Sequence, residues 1–273
     1  PFTPFKDFTG RSINEINLYS TEMSSALCSI DRVSASANMN NRLSEAIVEA
    51  YKSTNGAPIS FELMLKCYQS RMKDANNDDS ISSVLKQLVN AHIFESEDKV
   101  SLIDDSYIIK MDGYPKDGPI AKAIVYFLMS KLNNIYELLD KQAVNDEVVQ
   151  IRHFSIIDEA HYMLDFDNRP LRNLIAVGRN KGLSIILATQ NMSSFKSKGF
   201  DFYANAQYPL IMKQQTIDDK VIKDLFGVSG QELQEIRTAI AGLQKGELII
   251  KDQMAFALGM GNKYKKINVT HLI

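Results

Sequence analysis

The sequence predicts an α/β fold: a mostly parallel sheet flanked by helices, with an all-helical insertion ahead of it. Two apolar runs, Phe154-Ser-Ile-Ile157 and Leu183-Ser-Ile-Ile-Leu187, end abruptly in polar residues. Strands buried on both faces of a parallel sheet look like this, and they deliver side chains to the carboxyl edge where ligands bind. Helix-period segments at Gly118–Leu139 and Pro170–Asn180 precede and separate the two runs, and residues 39–98 read wholly as short helices. The division this predicts is 1–38 for an N-terminal segment and helix, 39–98 for the insertion, and 99–273 for the core.

In chain order, Pro1–Gly10 carries two prolines, three phenylalanines and a glycine, and reads as an extended segment that packs on a neighbour. A helix follows through Ile13, Ile16, Met23, Leu27 and Ile30, with Ser12 and Glu15 placed as a capping box. Asn38–Arg42 is a polar break. Leu43, Ile47, Ala50 and Tyr51 mark the next helix, Ser60 caps another, and Ser80 opens a third after the acidic loop Asp74–Asp79. Tyr107–Met111 is a strand candidate closed by the turn Asp112–Pro115. With the long helix opening at Gly118-Pro119, it would form a βαβ unit with the Phe154 strand. Past Gln190, a strand is expected at Tyr208–Lys213, helices at Asp218–Phe226 and Ser229–Ala239, and a closing hairpin from Gly246–Lys251 and Gln253–Leu258. Glu232 stands in the capping-box position to Ser229.

Composition narrows the classes. With 273 residues, 45% of them apolar, the chain can build a substantial core. Lys and Arg number 31 against 33 Asp and Glu, a net charge of -2, so any contact with nucleic acid must come from a local patch. Cys28 and Cys67 lack CxxC spacing and suit reduced thiols in a cytoplasmic protein, and the four histidines form no zinc pattern. No apolar run approaches the roughly 20 residues of a membrane helix. The sequence begins at Pro1 without an initiator Met, as an excised piece of a longer protein would.

The two strand ends hold the candidate chemistry. Asp158 and Glu159 are adjacent and point to different sides of a strand, so their roles differ. In nucleotide hydrolysis one carboxylate holds hydrated magnesium and a second acceptor orients the attacking water. Asp158 takes the metal, Glu159 the water, and the Gln190 amide a position to sense the γ-phosphate. The plainer alternative is that all three are polar residues ending strands.

This order of motifs resembles the HerA/FtsK group of RecA-like motor ATPases, which includes the type IV secretion ATPases. The resemblance covers Tyr107–Lys251: FSIIDEAH stands as the Walker B strand, RPLRNLIAVGRNKG as the following helix and GLSIILATQN as the sensor strand, with ANAQYPLIMKQ and KGELIIKD downstream. The opening GRSINEINLYSTEMSSALCSIDRV and the helical insertion look most like the C-terminal part of the DptH or DndH ATPases of phosphorothioation-dependent restriction systems. The resemblance implies a RecA-like P-loop NTPase core using ATP and Mg2+, DNA as the substrate moved, assembly into a ring taken as a hexamer, and other restriction-system subunits as partners, with no membrane. It makes Asp158 and Glu159 the Walker B pair, Gln190 the sensor, and Arg179 a candidate arginine finger reaching a neighbouring subunit's nucleotide. Arg172 and Arg237 are weaker finger candidates, and the ordinary reading of Arg179 is a solvated cation at a helix C-terminus. Lys196 and Lys198, just past the sensor strand, are candidate contacts to DNA phosphates, or ordinary loop lysines.

One departure from the family pattern is large. The sequence contains no GxxxxGK followed by Ser or Thr, the loop that cradles phosphates: Gly113–Gly118 lacks the following pair, and Gly259–Lys263 opens no evident helix. That loop is expected upstream of Pro1, and the chain alone is expected to hydrolyse ATP weakly or not at all. Two other classes stay open: a non-catalytic DNA-binding or scaffold module, and a superfamily 2 DEAH helicase, which should show an SAT motif where this chain has ATQ.

Overall fold

Ser12 and Glu15 begin the first helix as their spacing predicts. The Ser12 N–H donates to Glu15 Oε2 at 3.1 Å and the Glu15 N–H to Ser12 Oγ at 3.4 Å, and α1 runs Ile13–Ile30. The computed structural model describes residues 3–30, 35–73, 77–94, 101–116, 118–145, 148–197, 200–258 and 263–269. It divides into two units, Pro1–Ser155 with Asp165–Ile186, and Ile156–Leu164 with Leu187–Ile273.

In the first unit, α1 packs on α2 (Ala37–Ser53), α2 on α3 (Phe61–Gln69) and α3 on α4 (Ser80–Ala91). Asn38–Arg42 is not a break but the opening turns of α2. Ser36 caps it through the Met39 N–H, Asn38 and Asn41 are exposed while Asn40 Nδ2 donates to Ser25 Oγ at 3.4 Å, and burial of Leu43 and Ile47 outweighs the weak helix propensity of the asparagines. Ser60 caps α3 as expected. The cap of α4 is Asp79, one residue before the predicted start, in a complete capping box with Ser82. Asp79 Oδ2 also accepts from the Tyr68 hydroxyl at 2.7 Å and from Arg42 at 3.2 Å, so one carboxylate joins three helices. Residues 74–76 of the predicted acidic loop lie outside the described residues.

The leading segment packs into this unit. Phe5 and Phe8 are buried, with Phe5 among Phe61 and Phe127 at ring-centroid distances of 4.9 and 5.8 Å. Gly56 permits the approach: its φ is +87°, its carbonyl accepts from the Phe8 N–H at 2.8 Å, and a Cβ there would stand 2.6 Å from the Phe8 carbonyl oxygen.

Helix α5 (Pro119–Leu138) opens with Gly118 as N-cap and Pro119 in its first turn. Most of its surface is buried, Lys122 included; that ammonium is 3% exposed and pairs with Asp165 at 3.0 Å. The predicted strand at Tyr107–Met111 does not form. The segment joins none of the described sheets, and Ile108 is 88% exposed; β-branched residues make a strand only where a neighbour takes their N–H and C=O groups. The βαβ unit expected there therefore lacks its first strand.

A short hairpin, β1 (Val144–Asn145) and β2 (Val148–Val149), leads to β3 (His153–Ile157). Beyond lie α6 (His161–Leu164), α7 (Arg169–Val177) capped by Asn168, a turn of 3-10 helix at Gly178–Lys181, and β4 (Leu183–Leu187). Strands β3 and β4 pair in parallel: at one end the Arg152 and His153 N–H groups donate to the Gly182 oxygen, and at the other the Ala188 N–H donates to the Ile157 oxygen. Gly182, at φ +82°, makes the turn into β4. The expectation of burial on both faces is not met, since Phe154, Ile156 and Ile186 are exposed. Their apolar runs suit a strand covered twice, but in the described chain one face is covered, with Tyr136 of α5 against His153.

The second unit continues with a 3-10 turn at Met192–Phe195, the hairpin β5 (Lys196–Ser197) and β6 (Phe200–Asp201), α8 (Phe202–Asn205) and β7 (Leu210–Ile211). Then come α9 (Asp219–Phe226), α10 (Gly230–Ala241), β8 (Glu247–Lys251), α11 (Gln253–Leu258) and β9 (Tyr264–Asn268). Val221, Ile222, Phe226, Ile236, Ile240, Leu243 and Ile249 form its core. The predicted closing hairpin exists with a different second strand: Gln253–Leu258 is helical, and β9 pairs antiparallel with β8. The capping box at Ser229 does not form, because Glu232 pairs instead with Lys263 at 3.2 Å. No described helix is long and apolar enough to cross a membrane.

Candidate functional site

The polar end of β3 is shaped by Ala188, the residue after β4. Its N–H donates to the Ile157 carbonyl at 2.9 Å, and its carbonyl accepts from the Ala160 N–H at 2.7 Å. Asp158 and Glu159 lie between these two bonds and bow outward. Glu159 consequently adopts φ +51°, a left-handed conformation that costs a non-glycine residue about 1 kcal/mol or more. Strain of this kind persists only where surrounding bonds enforce it, and it places the two carboxylates in different directions.

Asp158 is exposed, and its Oδ1 accepts from the Glu159 N–H at 2.9 Å. Glu159 is half-buried. Gln190, two residues beyond Ala188, turns its Nε2 onto Glu159 Oε1 at 2.6 Å. The Glu159 Oε2 atom is cut off from solvent with no aligned hydrogen-bond donor, and His161 Nδ1 lies 3.2 Å from it. The His161 ring rests against Tyr162, centroids 4.1 Å apart. Three predicted site residues, Asp158, Glu159 and Gln190, thus come together at the carboxyl end of the parallel pair. His161 joins them without having been singled out from the sequence; its place two residues after Glu159, where the strand turns into α6, was the available signal.

The other predicted residues stand elsewhere. Arg179 is exposed in the 3-10 turn before β4 and belongs to the first unit, whereas Asp158, Glu159 and Gln190 belong to the second. Arg172 is taken up by Asp167, and Arg237 lies 3.4 Å from Asp219. Lys196 opens β5, and Lys198 lies outside the described residues. Most of Gly259–Lys263 is likewise outside them. An open cavity of about 580 Å3 lies among Asp201, Tyr203, Gln207, Tyr208, Asp224 and Lys251, and none of the site carboxylates lines it.

Chemically, the arrangement offers an ionisable carboxylate held from one side by an amide, beside a second carboxylate open to water. The described residues contain no cluster of three or more His, Cys, Asp or Glu able to cage a metal. A single exposed aspartate suits a cation that keeps most of its waters and takes its remaining ligands from a phosphate, as magnesium does.

Comparison of the sequence with known protein families and with characterised proteins finds no match. Comparison of the fold does: VirB4 of Thermoanaerobacter pseudethanolicus superposes with a TM-score of 0.65 over 93% of this chain and 69% of that one, at 16% sequence identity. The chain therefore shares the α/β fold of that structure.

Proposed function

We propose that this chain is the Walker B and sensor part of a HerA/FtsK-type motor ATPase core that couples ATP hydrolysis to movement along DNA. The observation that carries the reading is the 2.6 Å contact of Gln190 with Glu159 at the carboxyl end of a parallel strand pair, next to an open Asp158. A sensor amide bonded to a water-activating carboxylate couples occupancy of the phosphate position to the orientation of the base. Magnesium, bound through water by Asp158, would neutralise charge on the phosphates. Glu159 would take a hydrogen bond from the attacking water, and Gln190 has a second N–H and a carbonyl left for phosphate and water.

The phosphate cradle is proposed to come from a segment outside this sequence. That agrees with the absence of its motif here and with the open apolar face at Phe154, Ile156 and Ile186, which further elements would cover. Arg179 is proposed as a finger acting on a neighbouring copy in a hexameric ring, and Lys196 and Lys198 as contacts to DNA phosphates. The assignment to phosphorothioation-dependent restriction of the DptH or DndH type, with other restriction subunits as partners in the cytoplasm, rests on sequence resemblance. The missing cradle motif favours a second reading, a non-catalytic scaffold with this fold.

The test is ATP turnover by the intact protein with and without DNA. The expected result is DNA-stimulated hydrolysis that falls at least about 100-fold in Glu159→Gln, with little or no turnover by this chain alone. Absence of hydrolysis in the intact protein would favour the scaffold.

A further inference from the structure

The catalytic machinery proposed above uses Asp158, Glu159 and Gln190 and leaves His161 without a task. Yet one oxygen of Glu159 is sealed from water and unsatisfied, and the nearest group able to serve it is His161 Nδ1, at 3.2 Å. A buried carboxylate oxygen without a donor is costly, so a small rotation that aligns an Nδ1–H with it is favoured. The imidazole is braced for this by the Tyr162 ring on which it rests. The backbone adds a reason for a brace: at φ +51° Glu159 is held in its bowed turn by Ala188, but those bonds do not set its side-chain rotamer. Gln190 cannot be the only restraint on Glu159, because its amide is the group that must answer to the phosphate.

We infer that His161 is a positioning residue for Glu159: it donates its Nδ1–H to Oε2 and keeps the carboxylate aimed while Gln190 exchanges partners. The inference rests on the hydrolytic reading of the site, because only there does the aim of Glu159 matter. It gives the two oxygens separate duties, with Oε2 anchored by His161 and Oε1 passing from Gln190 to the attacking water.

Two measurements test it. In this chain, 15N-edited NMR of the imidazole at alkaline pH is expected to show His161 as the Nδ1–H tautomer, shifting toward Nε2–H in Glu159→Ala; the same tautomer mixture in both proteins overturns the contact. In the intact ATPase, His161→Ala is expected to lower kcat about ten-fold with KM for ATP unchanged, and His161→Asn, whose amide can donate to the same oxygen, to restore most of it. Unchanged kcat in His161→Ala, or equal losses in Ala and Asn variants that melt at the wild-type temperature, overturns the positioning role. Failure of the unsubstituted intact protein to hydrolyse ATP removes the hydrolytic reading itself, and this inference with it, while the NMR result still decides whether the contact exists.

Discussion

Gln190 Nε2 lies 2.6 Å from Glu159 Oε1, joining two side chains 31 residues apart in sequence. The pairing of β3 with β4 makes this possible, because Ala188 bonds both ends of the turn that carries Glu159 and Gln190 follows two residues later.

Replacing that amide by a carboxylate should reverse the sign of the contact. Gln190→Glu puts two acids tip to tip, and like charges at this distance cannot both ionise comfortably. The variant is expected to lose on the order of 1 kcal/mol near neutral pH, modest because Gln190 is exposed, and to regain it as one acid is protonated at lower pH. Urea unfolding at neutral and acidic pH reads both effects.

The Lys122–Asp165 pair should respond asymmetrically. The ammonium is 3% exposed and the carboxylate 39%, so removing Asp165 strands a buried cation while removing Lys122 leaves a carboxylate that water can reach. Asp165→Ala is expected to cost about 3 kcal/mol, whereas Lys122→Met, which keeps the stem packed against its neighbours, should be near neutral. The difference is measurable as a shift in urea midpoint at constant slope.

Asp79 serves a helix cap, a tyrosine and an arginine at once. Asp79→Ala is expected to destabilise by about 3 kcal/mol, against about 1 kcal/mol for the simple cap change Ser60→Ala. Thermal unfolding of the two variants gives the ratio.

His153 should make stability depend on pH. Its Nδ1 is buried without a partner, and burial lowers its pKa from the ordinary value of 6.5, favouring the neutral ring in the fold. The unfolded chain therefore binds the proton first as pH falls. The contribution is fully present above 6.5 and is lost progressively below it, down to the folded pKa. In His153→Phe that part of the slope should vanish, which urea midpoints measured from about pH 7.5 to 5.5 would show.

Much of the local structure was legible because it depends on near neighbours. Ser12 with Glu15, Ser60, Gly118-Pro119 and Asp218 mark helix starts through bonds made within a few residues. Elements needing a distant partner were misread. Tyr107–Met111 has the composition of a strand but no strand beside it among the described residues, Glu232 chose Lys263 over its own cap, and the partner of β8 proved to be β9.

The sequence by itself determined that two apolar runs end in Asp158-Glu159 and Gln190, since a strand's apolar run and its polar stop are written in consecutive residues. Only the tertiary structure decided that Ala188 bows Glu159 into a left-handed turn, that Gln190 reaches one of its oxygens, and that His161 stands at the other. Those contacts depend on the register of β3 against β4, and register is a property of two strands packed together, which neither strand encodes alone.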